Sequence, residues 1–248
     1  MRLVSVLISL LILGLSACKN VEDPYEIELD NLYIPLEVGK YKIYQQDSIY
    51  FYLPGPADSL RVRSWLKEEV VENTMDENGQ QWFVIDRYLR YDSLSNWSYK
   101  DQIRWSIQDN LIYLWENNLQ FLKMVLPVES FNSWNSNSNF DSQNLALQIG
   151  NSSVRVYKDN WESRITEMNF EDTLSTSTFS DCLNIQLIDN SDYALINLRQ
   201  VNEVYSKNIG LIYAKWRILD SQNYNPEQAW ESSAEKGFIL EQVLIEHN

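Results

Sequence analysis

Two cysteines, one histidine and 35 aspartates and glutamates are the most reactive side chains of this 248-residue chain. A thiol can attack a carbonyl, take a lipid or form a disulfide; a histidine can move protons; two facing carboxylates can hydrolyse a glycosidic bond. Spacing argues against most of these uses. Cys18 ends an apolar run that starts at Leu3 behind Arg2 and closes on Leu15, Ser16 and Ala17. A charged start, about a dozen apolar residues and a small-residue cleavage site make a secretory leader, too short to span a bilayer comfortably. With Cys18 at that site, Cys182 has no intramolecular disulfide partner and reads as a small buried hydrophobe. His247 stands next to the C-terminus, where chains fray, so Ser-His-Asp, Cys-His and Cys/His zinc sites lack a part. Asp86, in an apolar strand, reads as a candidate buried acid, but no second carboxylate can be paired with it. No Asp-x-Asp-x-Asp-Gly loop and no phosphate-cradling glycine loop occurs among only seven glycines. No cofactor, no metal site and no catalytic turnover are expected.

Leu15-Ser16-Ala17-Cys18 resembles the lipobox of bacterial lipoproteins. The resemblance implies thioether diacylation of Cys18, cleavage before it and acylation of the new amino terminus. Residues 1–17 are then the signal peptide and 18–31 a lipidated tether, polar, acidic and interrupted by Pro24. Lys19 followed by Glu22 and Asp23 resembles the surface-export signal of Bacteroidota lipoproteins, and a solvated spacer explains the same residues. The expected location is the bacterial outer membrane, on its periplasmic or cell-surface side. A net charge of −15, one unit more negative without Arg2, repels nucleic acid and anionic headgroups. Membrane contact is therefore expected through the lipid.

Residues 32–248 read as one mainly β domain. Val62, Leu66 and Val70 alternate with Arg61, Arg63, Lys67 and Glu69, and Ile103, Trp105 and Ile107 alternate with Gln102, Arg104, Ser106 and Gln108. Tyr41, Ile43, Ile49 and Phe51 give a first strand the same period. Asp76 to Gly79, Asp109-Asn110 and Asn117-Asn118 supply hairpin turns. The expectation is a single antiparallel curved sheet, half-barrel or sandwich of about ten strands with one or two short helices. Residues 127–142 are rich in Asn and Ser and read as a long loop exposing Trp134, with Trp97 the other exposed tryptophan. Ser191 to Val201 fits either a short helix or a strand.

Tyr33 to Ser48, with Tyr33, Pro35-Leu36, Val38-Gly39, Tyr41, Tyr44 and Asp47-Ser48, is similar to the opening "YxPLxVGxYxxYxxDS" of a group of Bacteroidota lipoproteins without known function. Glu203 to Tyr213 resembles their "EVYAKGVGLIYKE" segment, and Trp230 with Glu235 to Leu240 resembles their closing strand. These segments cover about a third of the chain. By fold analogy alone the pattern also resembles the half-barrels of LolA/LolB-type lipoprotein carriers. Asp47-Ser48, Asp58-Ser59, Asp92-Ser93 and Asp172-Thr173, each followed by an apolar residue, resemble Bacteroidota O-glycosylation acceptors at Ser48, Ser59, Ser93 and Thr173; Asp-Ser pairs are also common at turns. The expected function is a non-enzymatic envelope lipoprotein that binds an apolar ligand or a protein partner, with Ile103, Trp105, Ile212, Trp216 and Phe238 as candidate ligand face. A carbohydrate-binding or hydrolytic surface protein is the alternative.

Overall fold

Turn chemistry and period-two patterning set the local elements. A computed structural model describes residues 33–52 and 58–248. At the predicted two-residue turns Asp109 and Asn110 have φ of 48° and 66°, and Asn117 and Asn118 have φ of 51° and 62°. Positive φ at both central residues suits the twist of a tight hairpin, and Asn and Asp tolerate it better than other non-glycine residues. These turns join β4 (Ser98–Gln108), β5 (Leu111–Glu116) and β6 (Leu119–Val125). The turn at Asp76 is held by its carboxylate, which accepts from the Asn78 and Gln80 amides at 2.9 and 3.0 Å and joins β2 (Ser59–Met75) to β3 (Gln81–Arg90).

Among the described residues fourteen strands form, more than the expected ten, because the C-terminal half repeats the hairpin pattern and residues 133–154 contribute three short strands. Twelve of them make one antiparallel sheet in the order β6-β5-β4-β3-β2-β1-β14-β13-β12-β11-β10-β7. Here β1 is Tyr41–Phe51, β7 Ser133–Asn135, β10 Glu162–Leu174, β11 Ser177–Asp189, β12 Asn197–Ser206, β13 Gly210–Asp220 and β14 Lys236–His247. Two meanders, β1 to β6 and β10 to β14, are thus joined by the pairing of β1 with β14. The stretch from Ser191 resolves into a loop followed by β12, and the helix α1 (Trp230–Ser233) lies between β13 and β14.

The sheet curls until its two edges meet. Across the seam, the Leu122 amide of β6 donates to the Ser136 carbonyl at 3.1 Å, and the Trp134 indole donates to the Leu122 carbonyl at 2.9 Å. Ser136 and Ser163 hydroxyls lie 2.6 Å apart, and Ser163 donates on to the Leu187 carbonyl. The result is a nearly closed barrel, which leaves few unpaired edge groups. Trp134 is therefore buried, at 8 % exposure, and does not stand on an open loop as expected.

The barrel is filled from its own chain. Residues 136–161 carry the hairpin of β8 (Leu147–Ile149) and β9 (Ser152–Val154), and Ile149, Val154, Val156 and Trp161 share a core with Leu187, Val201 and Ile218. Arg199, fully buried on β12, fastens this segment: its guanidinium donates to the Arg155 carbonyl at 2.9 Å and pairs with Asp220 at 2.8 Å. Tyr33 and Ile34 join the same core from the N-terminal side. A second core lies outside the sheet, where Phe51, Leu198, Leu219 and Ile239 are covered by Ala194, Trp230 and Ala234. That cover decides which way β1 faces. Ile49 and Phe51 belong to the outer core, while Lys42, Tyr44 and Gln46 point inward.

Candidate binding cavity

The inner face of the barrel leaves a cavity of about 350 Å³, bounded by side chains from β1 to β6, β12 to β14, the 33–42 segment and the 136–161 segment. Its apolar wall includes Trp105, Trp216, Phe238, Leu240 and Leu66. Trp161 and Trp216 rings meet at 5.3 Å between centroids, and Tyr157 meets Trp161 at the same distance. Exposed Asn117, Lys100 and Leu147 are among the lining residues and mark its rim.

Charges also line this space. Register places Lys42 opposite Glu68, Glu68 opposite Arg87, and Arg87 opposite Asp101, so one belt of alternating sign runs across β1 to β4. Arg87 is saturated, forked onto Asp101 at 2.6 and 2.7 Å and reaching Glu116 on β5. Burial works against its charge, but Asp101 and Glu116 outweigh burial and hold the guanidinium firmly protonated. Burial likewise opposes the Asp101 charge, and Arg87 more than compensates, keeping that carboxyl below its usual range.

A second pair crosses the lumen. Lys123 of β6 touches both carboxylate oxygens of Glu203 on β12 at 2.7 Å, and Tyr205 donates to Glu203 at 2.6 Å. Burial pushes the Tyr205 and Tyr44 hydroxyls well above the ordinary phenol range, with nearby carboxylates adding to it, so both stay protonated.

Lys42 and Glu68 differ from these. Neither makes a hydrogen bond or an ion pair within 4 Å among the described residues, although they face each other across β1 and β2. Protein surrounds both, yet each keeps partial accessibility where the cavity opens onto it. Burial raises the Glu68 carboxyl, against the pull of Arg87 and Lys42, and burial lowers the Lys42 ammonium. The Lys42 ammonium lies over Gly210: a Cβ at that glycine would sit 2.6 Å from Nζ. Trp161, 1 % exposed, has an indole N–H with no acceptor. Buried polar groups are normally satisfied, so the Trp161 N–H calls for an explanation, and it shares the cavity wall with the half-buried, unpaired Lys42 and Glu68.

Of the candidate ligand face, Ile103, Trp105, Trp216 and Phe238 line the cavity, while Ile212 is fully buried in a neighbouring core with Tyr44 and Leu66. A bulge between Val204 and Tyr205 shifts the register of β13 beside Ile212. Asp86 is not a buried acid: it is half-exposed on the outer face and accepts from Gln102 at 2.9 Å. Trp97 is half-buried, with the Arg90 guanidinium 4.3 Å above its ring. Cys182 is fully buried. His247 is exposed but held as the last residue of β14, opposite Lys42. Among the acceptor-like residues, Ser93 and Thr173 are exposed and Ser59 half-buried, whereas Ser48 is 8 % exposed and closed off in the folded chain. Asp92 makes the turn bond to the Leu94 amide at 2.8 Å. Cys18, the signal peptide and the tether lie outside the described residues.

Among the described residues no group of three or more His, Cys, Asp or Glu side chains could hold a metal ion. A shallow polar groove crosses the outer face, but its Arg63 and Asp47, Arg217 and Glu231, and Tyr213 and Glu241 satisfy one another.

No family model and no curated protein matches the chain. Two solved structures are similar in outline. One is a candidate lipoprotein of Parabacteroides distasonis ATCC 8503, with a TM-score of 0.40 and 14% identity over 86% of this chain and 97% of that one. The other is a candidate exported protein with YmcC-like fold from Bacteroides fragilis NCTC 9343, with a TM-score of 0.45 and 11% identity over the same shares. Neither likeness bears on ligand or activity.

Proposed function

We propose that this protein is a non-enzymatic lipoprotein of the bacterial cell envelope, anchored at the outer membrane through Cys18, whose barrel receives an apolar ligand. The cavity carries this reading: aromatic and aliphatic side chains wall a space of about 350 Å³ inside the barrel, within the range of small-molecule sites. A domain built only for rigidity fills such a space, since unfilled volume costs stability. The anchor rests on Leu15-Ser16-Ala17-Cys18 behind its apolar run.

The neutral apolar dye N-phenyl-1-naphthylamine tests the cavity. The full chain carrying Cys18→Ser is expected to bind it at a single saturable site with a blue-shifted emission. Ala214→Phe, which places a ring in the cavity wall, is expected to weaken binding at least about tenfold while the circular dichroism spectrum stays that of a β protein. Unsaturable dye uptake, or equal binding by the Ala214→Phe chain, would refute the proposal.

A further inference from the structure

We infer that the ligand is an amphiphile with a single anionic head, a carboxylate or a phosphate, seated at Lys42 with its tail against Trp105, Trp216 and Phe238. This deepens the proposed function and rests on it.

The charge inventory of the cavity gives the sign of the head. In a chain of net charge −15, the lining carries Lys40, Lys42, Arg87, Lys100 and Lys123 against Glu68, Glu116, Glu203 and the paired Asp101 behind them, five cations to four carboxylates. Pairing then removes most of them. Arg87 is held by Asp101 and Glu116, Lys123 by Glu203, and Lys100 lies 3.7 Å from Asp101. Lys42 and Glu68 remain inside, with Lys40 beside the N-terminal approach. Their surroundings are not equivalent. Glu68 lies between two cations in register, Lys42 on one side and Arg87 on the other. Lys42 has Glu68 on one side and His247 on the other, so its charge is answered only once.

Hydrogen bonding points the same way. The unpartnered N–H of buried Trp161 adds a second open donor to the wall, and Glu68 is the one carboxylate of the described lining with no hydrogen bond, since Glu116 and Glu203 are engaged by Arg87 and Lys123. A site with surplus donors and surplus positive charge is completed by an acceptor that carries negative charge, since charge-assisted bonds are the stronger ones. Gly210 keeps the place clear. Any Cβ there would press on the Lys42 ammonium, and Pro35 packs on its other flank at 3.3 Å from the same position. Glu68 sets a limit on the head: its own charge disfavours a dianion, and it can accept from a hydroxyl or a protonated acid.

Competition against N-phenyl-1-naphthylamine, in the full chain with Cys18→Ser, tests this with matched sixteen-carbon chains. Hexadecanoate and hexadecyl phosphate are expected to displace the dye at concentrations about tenfold or more below hexadecanol, and hexadecyltrimethylammonium only at higher concentrations still. The ratio between the two anions distinguishes a carboxylate from a phosphate head. Lys42→Gln is expected to remove the preference for anions over hexadecanol, and Lys42→Arg to restore it. Glu68→Gln is expected to tighten anion binding several-fold relative to hexadecanol, a gain that misfolding cannot imitate. If hexadecanol or the ammonium competes as well as the acids, the anionic head is wrong while the apolar cavity stands. If the acids keep their preference in Lys42→Gln, the assignment to Lys42 is overturned. If the dye binds and no chain displaces it, the amphiphile is wrong; if the dye itself fails to bind, the cavity reading falls as well.

Discussion

Lys123 and Glu203 face each other across the lumen with side chains 10% and 5% exposed, and Tyr205 completes the carboxylate. Removing one member of such a pair leaves a buried charge alone, whereas removing both with apolar groups of similar volume is often neutral. Lys123→Met is therefore expected to lower stability by about 3–5 kcal/mol, and Lys123→Met with Glu203→Leu to recover most of it. Urea unfolding of the single and double variants measures the coupling; additive losses would mean that the pair does not hold β6 to the far side of the sheet. The inward charges had a signal in the chain. Glu68 shares the parity of Leu66 and Val70, and Arg87 that of Phe83 and Ile85, so a charge stands where alternation calls for an apolar residue. Lys42 had no such signal, because the apolar parity of its strand serves the core outside the barrel.

At the level of elements, the turns and meanders follow local chemistry, whereas β1 with β14 and the seam from β6 to β7 depend on contacts far apart in sequence. Gly237 opens β14 with φ of 124°, and a Cβ there would lie 2.0 Å from the Ile218 carbonyl of β13. Gly237→Ala is expected to cost about 2–3 kcal/mol or more, from the backbone conformation and the clash together. Gly79, at φ of 81° with nothing within 4 Å of its Cβ position, is the comparison. Its alanine variant is expected to lose only about 1 kcal/mol. Thermal melting of the two variants checks the difference; equal losses would show that the β13 to β14 approach tolerates a methyl group. The Asn/Ser stretch illustrates the converse. Its composition suits a loop, yet the serine hydroxyls and the Trp134 indole supply the hydrogen bonds that close the barrel.

For the whole molecule, the proposed anchor and the barrel are separate devices in one chain. Cys18→Ala is expected to abolish incorporation of a palmitate analogue and to move the protein from the membrane fraction to the soluble one in the producing cell. Equal labelling and equal sedimentation of the variant would overturn lipidation at this cysteine. With the anchor removed, dye binding is expected to persist, because among the described residues the cavity lining begins at Ile34.

Composition and spacing by themselves determined the antiparallel β class and the turns at residues 109–110 and 117–118, and they alone carry the proposed leader and its cysteine. Those are local properties: an apolar run, a period of two, and residues that accept positive φ. Tertiary structure alone decided that the two meanders join through β1 and β14, that the sheet closes at Leu122 and Ser136, and that Lys42 faces inward. The period of a strand tells which residues share a face but not which face meets which neighbour. Only the closed sheet, with a core on each side of β1, assigns the polar face to the cavity and the apolar one to the cover of α1 and the residues around it.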